Sequence, residues 1–587
     1  MTSTGMPRFA RRQVCLLAVL SLLAAINAAL VVIISPYSGQ YESWVLAPVS
    51  PFFWLFYALS IAFSLVAVSK AEGQPSSVLL AAVSGLITAN AVLVAAPSLR
   101  GYPYYGGNDF LLHLGYVTDI VKSGGISSED FYPLSHLFPF LLSSVLGLPN
   151  SVGLMLTPGI LYGIGSLWWF LLISLFVVDD RLKRAAAVLS AMPIMGYLST
   201  LYFPEQIAFY YLTFVLAVYR LSLVRRPILE LRAVFVFSVV ILTLFHSFAV
   251  AAATLVLLSW HFSRVPAEHG LPNRHLLAAV MLFVVWFAWF MSFSVFVGSV
   301  RAVFSWISQE SSTPSLLGTF WSVRIGFLDR ARIVLFGFGN LVVMILILVP
   351  SIVFYLRRST PSIVPLDKRT LLSPLVIFLF ASLFLALQPL VLAEPARAAR
   401  WTLVLGTPLI ALFLFGPRST KRNVRRPNPA PRGLGSFGIV VLLVVGAFGA
   451  HTSPINGQPN WLIEQSYFAA FDFTGSQNQT SSSVFYSLEA FVQAEAGLRN
   501  WESKSGSLRW IRAPDHFDFS SLTRNGTTEY LLTVLRTDRD FYLSIGTAQG
   551  RFDPSDFAAL ETDFTIIKAY DNGQAQVYVI VPSGARP

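Results

Sequence analysis

Between residues 13 and 450 the chain is a succession of apolar runs, many of them 18 residues or longer, separated by loops of which several carry Arg and Lys. About 20 apolar residues in a helix cross the hydrocarbon core of a bilayer, so runs of this length read as membrane spans. The composition agrees: 55% of the 587 residues are hydrophobic and 12% are charged. The runs 13–35, 51–68, 78–96, 152–178, 185–198, 207–223, 233–245, 248–260, 276–297, 333–356, 371–392, 401–415 and 435–450 predict about thirteen spans. The expected fold is therefore mainly α, a polytopic bundle over 1–450, followed by a soluble domain over 451–587.

The loops set the expected orientation. Arg8, Arg11 and Arg12 precede the first run, which is too long for a signal-peptide core and lacks a small-residue cleavage pattern near its end. It is expected to stay as a first span with a cytoplasmic N-terminus. The segment 134–148 is short and broken by Pro139. If it crossed, the basic loop Arg181 to Arg184 would fall outside; if it is re-entrant or interfacial, that loop falls inside, as positive loops prefer. The second arrangement is expected, with the outer loop 98–133 and the tail both extracytoplasmic. The net charge of +11 divides into −5 for the tail from His451 and +16 for the rest, which suits anchored cytoplasmic loops and not a nucleic-acid partner. The single Cys15 lies in the first run, so there is no intrachain disulfide and no Cys-based metal site.

In the tail, 487–500 reads as a short helix, and 529–535 and 541–545 as strands. The stretches 564–570 and 574–581 flank Asp571-Asn572-Gly573, a hairpin turn. A mixed α+β or β-rich domain is expected. Asn478 and Asn525 each begin a glycosylation triplet, which fits an outer location.

The stretch 106–139 interrupts the apolar runs with Asp109, His113, Asp119, Lys122, Glu129, Asp130 and His136. Helical spacing of Phe110, Leu114, Val117 and Val121 predicts an amphipathic helix from Asn108 to Lys122, with Asp109, His113 and Tyr116 on one face. Asp109 suits a general base toward a hydroxyl acceptor, or a ligand of a divalent ion such as Mg²⁺ or Mn²⁺. Its bland alternative is an exposed acid on an interfacial helix. His113 would share or orient that role. His136 is either a site residue or a polar group at a helix start, and Asp119 reads as solvated.

With this topology Glu205, His246, Glu394, Arg397 and Arg400 also fall at the outer ends of spans or in outer loops. Ionisable groups at membrane depth are costly and mark sites. Arg397 and Arg400 carry planar forks that suit a phosphate at headgroup level, or else they anchor the span and pair with Glu394. Glu205 is a first-turn helix acid or a site residue, and His246 a turn residue or a ligand. Trp306, Phe320 and Trp321 read as an interfacial aromatic belt.

The layout resembles the GT-C class of integral-membrane glycosyltransferases that use lipid-phosphate sugars. Asn108-Asp109 stands where such enzymes carry paired acids. FHSFA at 245–249, YFPEQIAFYYL at 202–212 and YDNGQAQVYVI at 570–580 resemble stretches of prokaryotic, especially archaeal, members. The WWDYG-type motif of oligosaccharyltransferases is absent from the tail, so the resemblance implies transfer of one sugar from a polyprenyl-phosphate carrier, with inversion. It implies that Asp109 deprotonates the acceptor and that Arg397 or Arg400 holds the lipid phosphate. The acceptor would be a lipid, glycan or protein hydroxyl beside the membrane lipids. Two other readings stand: a transporter or flippase of lipid-linked glycans, and a non-catalytic envelope protein with a partner-binding tail. A transporter would show inverted repeats and midplane charges, and the sequence shows neither.

Overall fold

The computed structural model describes residues 8–39, 42–128, 130–177, 180–192, 196–224, 229–262, 273–293, 327–337, 343–349, 433–453, 460–463, 465–476, 484–488, 510–518, 530–544, 551–563 and 565–580, with a few single positions between them. The apolar runs become helices: α1 (Arg8–Ile33), α2 (Phe52–Lys70), α3 (Ser76–Leu99), α6 (Asn150–Phe176), α8 (Pro204–Val224), α9 (Leu229–Phe245), α10 (Ser247–Phe262) and α11 (Arg274–Phe290). Among the described residues five helices are long and apolar enough to cross a membrane, those at 11–33, 52–70, 76–99, 150–175 and 204–223. The apolar helices at 133–146, 249–261, 274–290 and 437–449 are shorter. The run 371–392, most of 401–415 and part of 333–356 lie outside the described residues.

Helices α1, α2 and α3 pack on one another, α3 continues against α6, and α6 against α8. Small residues let these backbones approach. A Cβ on Gly85 would stand 2.0 Å from Ser21 Oγ, and one on Gly165 would stand 2.7 Å from Tyr210 Cβ. Hydroxyls seal the same seam, where Ser21 Oγ donates to the Ser60 carbonyl at 2.7 Å and lies 2.8 Å from Ser64 Oγ. Without a hydrophobic drive between helices in lipid, such close packing and interhelical hydrogen bonds hold a bundle together.

The run 185–198 is not one continuous helix, although the chain passes from one end of the bundle, where Arg184 reaches the Ser69 carbonyl, to the other, where Tyr202 meets the Ser135 carbonyl. Helix α7 (Asp180–Ser190) has 11 residues and stops short. Pro193 disfavours helix at the residue before it, Gly196 turns with φ +62°, and a 3-10 turn follows over Gly196–Ser199. The Ala191 carbonyl, freed at the helix end, accepts from Asn90 Nδ2 at 2.5 Å and from the Tyr162 hydroxyl at 2.7 Å.

The start of α7 shows how the chain is threaded. Gly73 N donates to Asp180 at 3.0 Å, Arg184 reaches the Ser69 carbonyl at 2.8 Å, and Arg184 pairs with Glu72 at 3.3 Å. The α6–α7 connection and the α2–α3 connection therefore share one end of the bundle. Since α3 leaves that end and α6 returns to it, residues 100–149 sit at the opposite end. Helix α5 (Pro133–Leu146) is thus a 14-residue segment that does not cross. Its length of about 21 Å is short of a bilayer core.

At that opposite end the tail is fastened to the loop. Strand β1 (Tyr104–Tyr105) pairs antiparallel with β2 (Leu462–Ile463), and Tyr105 Oη lies 3.0 Å from Thr452 Oγ1. Arg100, 1% exposed, bonds both oxygens of Glu42 and the carbonyls of Ser35, Pro36 and Val45, while Tyr102 also donates to Glu42. Asn460 Nδ2 closes the knot on the Glu42 carbonyl at 2.7 Å.

Of the remaining elements, α12 (Phe327–Arg332) leads into a π turn (Ile333–Gly337) that packs on α13 (Gly433–Gly449), from which the tail departs. The tail adds α14 (Gln465–Ser476), β3 (Val484–Ser487), β4 (Trp510–Arg512), β5 (Tyr530–Leu535), α15 (Arg536–Ser544), α16 (Pro554–Thr562), β6 (Ile566–Asp571) and β7 (Ala575–Ile580). The sheet order is β4-β3-β5-β7-β6, with β3 parallel to both neighbours and β7 antiparallel to β5 and β6. Alternation along β5 gives each face its own partner. Leu532 and Val534 join Tyr542, Phe552, Phe557 and Leu560 in one core, while Leu531 and Leu535 share a core with Tyr467 and Ala470 of α14.

Two tail readings change. Residues 541–544 belong to α15, not to a strand; an apolar run of four residues cannot distinguish the two, and Arg536 and Asp540 pair one helical turn apart at 3.8 Å. Ser487, the expected start of a helix, is the last residue of β3. The hairpin is found where Asp571-Asn572-Gly573 indicates it, with Gly573 at φ +80°. Asn478 and Asn525 lie outside the described residues.

Candidate active site

Helix α4 (Gly107–Ser123) forms where the apolar spacing predicts it. Gly106, at φ +130°, admits the turn into its first residue, and Gly124, at φ +71°, closes the last turn with its N–H on the Ile120 carbonyl. Phe110, Leu111, Leu114 and Val117 are buried against α5, α6 and β1. Leu112 and Val121 are exposed. Asp109 stands in the first turn of this helix, one turn before His113, and its side chain is outside the described residues.

His113 is buried. Its Nδ1 lies 2.8 Å from Nε2 of His136, and Nδ1 of His136 lies 2.6 Å from Oδ2 of Asp130. The other oxygen of Asp130 accepts the Tyr132 N–H at 2.9 Å. All three members are sheltered: Asp130 is 4% exposed, His136 1% and His113 8%. Pro133 opens α5 at its first position, a place that suits proline, and this sets His136 on the first turn facing α4. Ser135 fastens that turn, its hydroxyl donating to the Phe245 carbonyl at 2.8 Å and its carbonyl accepting from the Tyr202 hydroxyl.

Aromatic rings wall this chain of groups. Tyr116 stacks on His136 with centroids 4.7 Å apart, and Tyr202 meets His113 edge-on at 5.5 Å. His246, at the break between α9 and α10, stacks on Tyr132 at 4.3 Å. Trp289 Nε1 donates to the Phe131 carbonyl at 3.2 Å, so α11 also reaches the loop. Burial, then repulsion from His136 and His246, holds His113 well below the ordinary histidine range. Burial, with the Asp130 charge adding to it, pushes Tyr202 well above the usual phenol range, so it stays a donor.

The structure thus brings together His113, His136 and His246 from three separated segments, beside the turn that carries Asp109. Glu205 is buried in the first turn of α8, three residues after Tyr202. Glu394, Arg397, Arg400, Trp306, Phe320 and Trp321 lie outside the described residues. Sequence reasoning missed Asp130, Tyr132 and Tyr202. Asp130 stands six residues before His136 with a helix start between them, a spacing that matches no regular element.

A second group of possible ligands, His516, Asp553 and Asp556, lies in the tail. Its oxygens are engaged in starting α16. Asp553 accepts from the N–H groups of Ser555 and Asp556, and Asp556 accepts from the Asp553 N–H at 2.7 Å and faces His516 Nδ1 at 2.8 Å. This is a helix cap and its histidine partner.

No protein-family model matches the chain, and no curated protein does. Among solved structures it is similar to ArnT from Cupriavidus metallidurans bound to undecaprenyl phosphate, at 14% identity and a TM-score of 0.43, over 86% of this chain and 98% of that one. It is similar to the Archaeoglobus fulgidus oligosaccharyltransferase tethered with an acceptor peptide, at 11% identity and a TM-score of 0.42, over 77% of this chain and 68% of that one. It is also similar to the arabinofuranosyltransferase AftD from Mycobacteria, at 14% identity and a TM-score of 0.42, over 85% of this chain and 41% of that one. The proteins it is similar to are GT-C glycosyltransferases.

Proposed function

We propose that this protein is a membrane glycosyltransferase that moves a sugar from a polyprenyl-phosphate carrier to a hydroxyl acceptor, at the end of the bundle where α4 and the tail meet. The observation that carries the reading is the buried Asp130–His136–His113 chain, one helical turn from Asp109. Buried ionisable groups gathered at one mouth of a span bundle mark a site. A transporter would place its charges near the midplane, between repeats. This cluster lies at one end, in the connection between α3 and α6.

In the proposed reaction Asp109 accepts the proton of the acceptor hydroxyl as its oxygen attacks the anomeric carbon. The bond from that carbon to the carrier phosphate breaks, and its electrons leave with the phosphate. Attack opposite the leaving group inverts the anomeric centre. Arg397 and Arg400 are assigned to the departing phosphate, for which guanidinium forks are suited. The basic stretch Arg181–Arg184 at the opposite end of the bundle supports a cytoplasmic location for that end, and with it transfer on the outer face.

The test is turnover in nanodiscs with polyprenyl-phosphate sugars, undecaprenyl phosphate being the first carrier to try, with and without Mg²⁺ or Mn²⁺. Asp109→Asn at unchanged expression is expected to lower turnover by roughly 10²–10⁴-fold. Arg397→Ala with Arg400→Ala is expected to weaken carrier binding. Full turnover in Asp109→Asn removes Asp109 from the mechanism, and no binding to any carrier overturns the transferase reading.

A further inference from the structure

We propose that Asp130 and His136 are positioning residues that fix His113 in the tautomer carrying its proton on Nε2, so that His113 presents a hydrogen-bond donor one helical turn from Asp109. The argument begins with Asp130. Its Oδ1 accepts a backbone N–H, so Oδ2 is left to share a proton with His136 Nδ1 across 2.6 Å. Two arrangements then satisfy the 2.8 Å contact between the imidazoles. In the first, His136 carries protons on both nitrogens and donates from Nε2 to a bare Nδ1 on His113. In the second, His113 donates from Nδ1 and leaves its own Nε2 bare.

Charge decides between them. The second arrangement leaves the Asp130 carboxylate, 4% exposed, with no compensating Lys or Arg among the described residues. Burying a lone charge costs several kcal/mol. The first makes Asp130 and His136 a neutral, charge-assisted pair and sets the tautomer of His113 by the bond at its other nitrogen. Among the described residues the titratable groups around His113 are His136 from α5, Asp130 behind it, Tyr116 on its own helix, Tyr202 at 5.5 Å and His246 from the α9–α10 break. His113 itself stays neutral because it is buried, with repulsion from His136 and His246 adding to that.

An Nε2–H at this place would suit an anionic oxygen such as that of the departing phosphate. That use rests on the transferase reading; the tautomer does not.

The experiment is long-range proton–nitrogen correlation on the full-length protein, labelled with ¹⁵N-histidine in nanodiscs. The chain has 8 histidines, and a His113→Gln variant assigns the signal. The expected wild-type pattern is a neutral imidazole with the proton on Nε2, unchanged between about pH 5 and 8. Asp130→Asn keeps an acceptor for His136 but removes the charge, and should invert the pattern to Nδ1–H. A wild-type His113 that is cationic or protonated on Nδ1 overturns the proposal, as does an unchanged tautomer in Asp130→Asn. If that variant fails to fold, the wild-type spectrum decides alone. Where the transferase assay succeeds, Asp130→Asn should lower kcat about 10-fold or more with KM little changed. Correct spectra with no turnover would sink the transferase reading and leave the tautomer standing.

Discussion

Arg100 and His451 show how much of this protein depends on single buried groups. Arg100 gathers Glu42 and three carbonyls around one guanidinium, so its charge and most of its donors are satisfied. Arg100→Ala would leave Glu42 buried and uncompensated, and should cost about 3–5 kcal/mol, read as a lowered midpoint of thermal unfolding in detergent. His451 follows α13 and is fully buried, which lowers its pKa to about 3. Here the unfolded chain binds the proton first. Stability contributed by the neutral folded form is present above about pH 6.5 and is lost as pH falls toward 3, by about 1.4 kcal/mol per pH unit. His113 acts with the same sign. A His451→Gln variant should therefore show a shallower loss of thermal stability between those pH values.

These groups were unequally visible beforehand. Asp109, His113 and His136 stood out because ionisable residues are rare among apolar runs. Asp130 was hidden because its partner lies across a helix start. Arg100 was hidden because the carbonyls it binds come from a loop 55 to 65 residues away.

Among the helices and strands, periodicity was legible wherever a long run met a single environment. α1, α2, α3, α6 and α8 follow the apolar runs, and the β6–β7 hairpin follows its turn residues. α7 escaped, since Pro193 and Gly196 sit inside a run that hydropathy alone joins up. The contact of α1 with α3 depends on Gly85, where a Cβ would press to 2.8 Å on the Ser21 backbone. Gly85→Ala should cost about 1–3 kcal/mol, seen as a lower unfolding midpoint, while Gly125→Ala, with open space around it, should change little.

In the tail, the C-terminal ends of parallel β3 and β4 would be the usual place for a ligand crevice. Arg551 fills it, bonding the carbonyls of Leu488 at 3.1 Å and Ala513 at 2.8 Å and the Tyr542 hydroxyl at 2.7 Å. This part of the sheet is a filled core.

The whole molecule has two ends with different contents. One carries the α2–α3 and α6–α7 connections, the other α4, α5 and the tail. With Cys15→Ser as background, cysteines introduced at Glu72 and Arg181 should react with an impermeant maleimide from the same face of sealed vesicles. One at Asp563 in the tail should react from the opposite face. Labelling of Glu72→Cys and Arg181→Cys from opposite faces would mean that α5 crosses after all.

The two-residue ladder between β1 and β2 also has a consequence in time. Tyr104 and Tyr105, which lead directly into α4, take their partners from Ile463, Leu462 and Thr452, nearly 350 residues later for the nearest of them. At translation rates of about 5–20 residues per second, the mouth of the bundle waits roughly 20–70 s for the strand that fixes it. Through that interval the chain has a complete first helical trio and an unfinished entrance. A ribosome stalled before residue 452 would leave α4 without its clamp. The last quarter of the sequence thus determines when, as well as where, the site is finished.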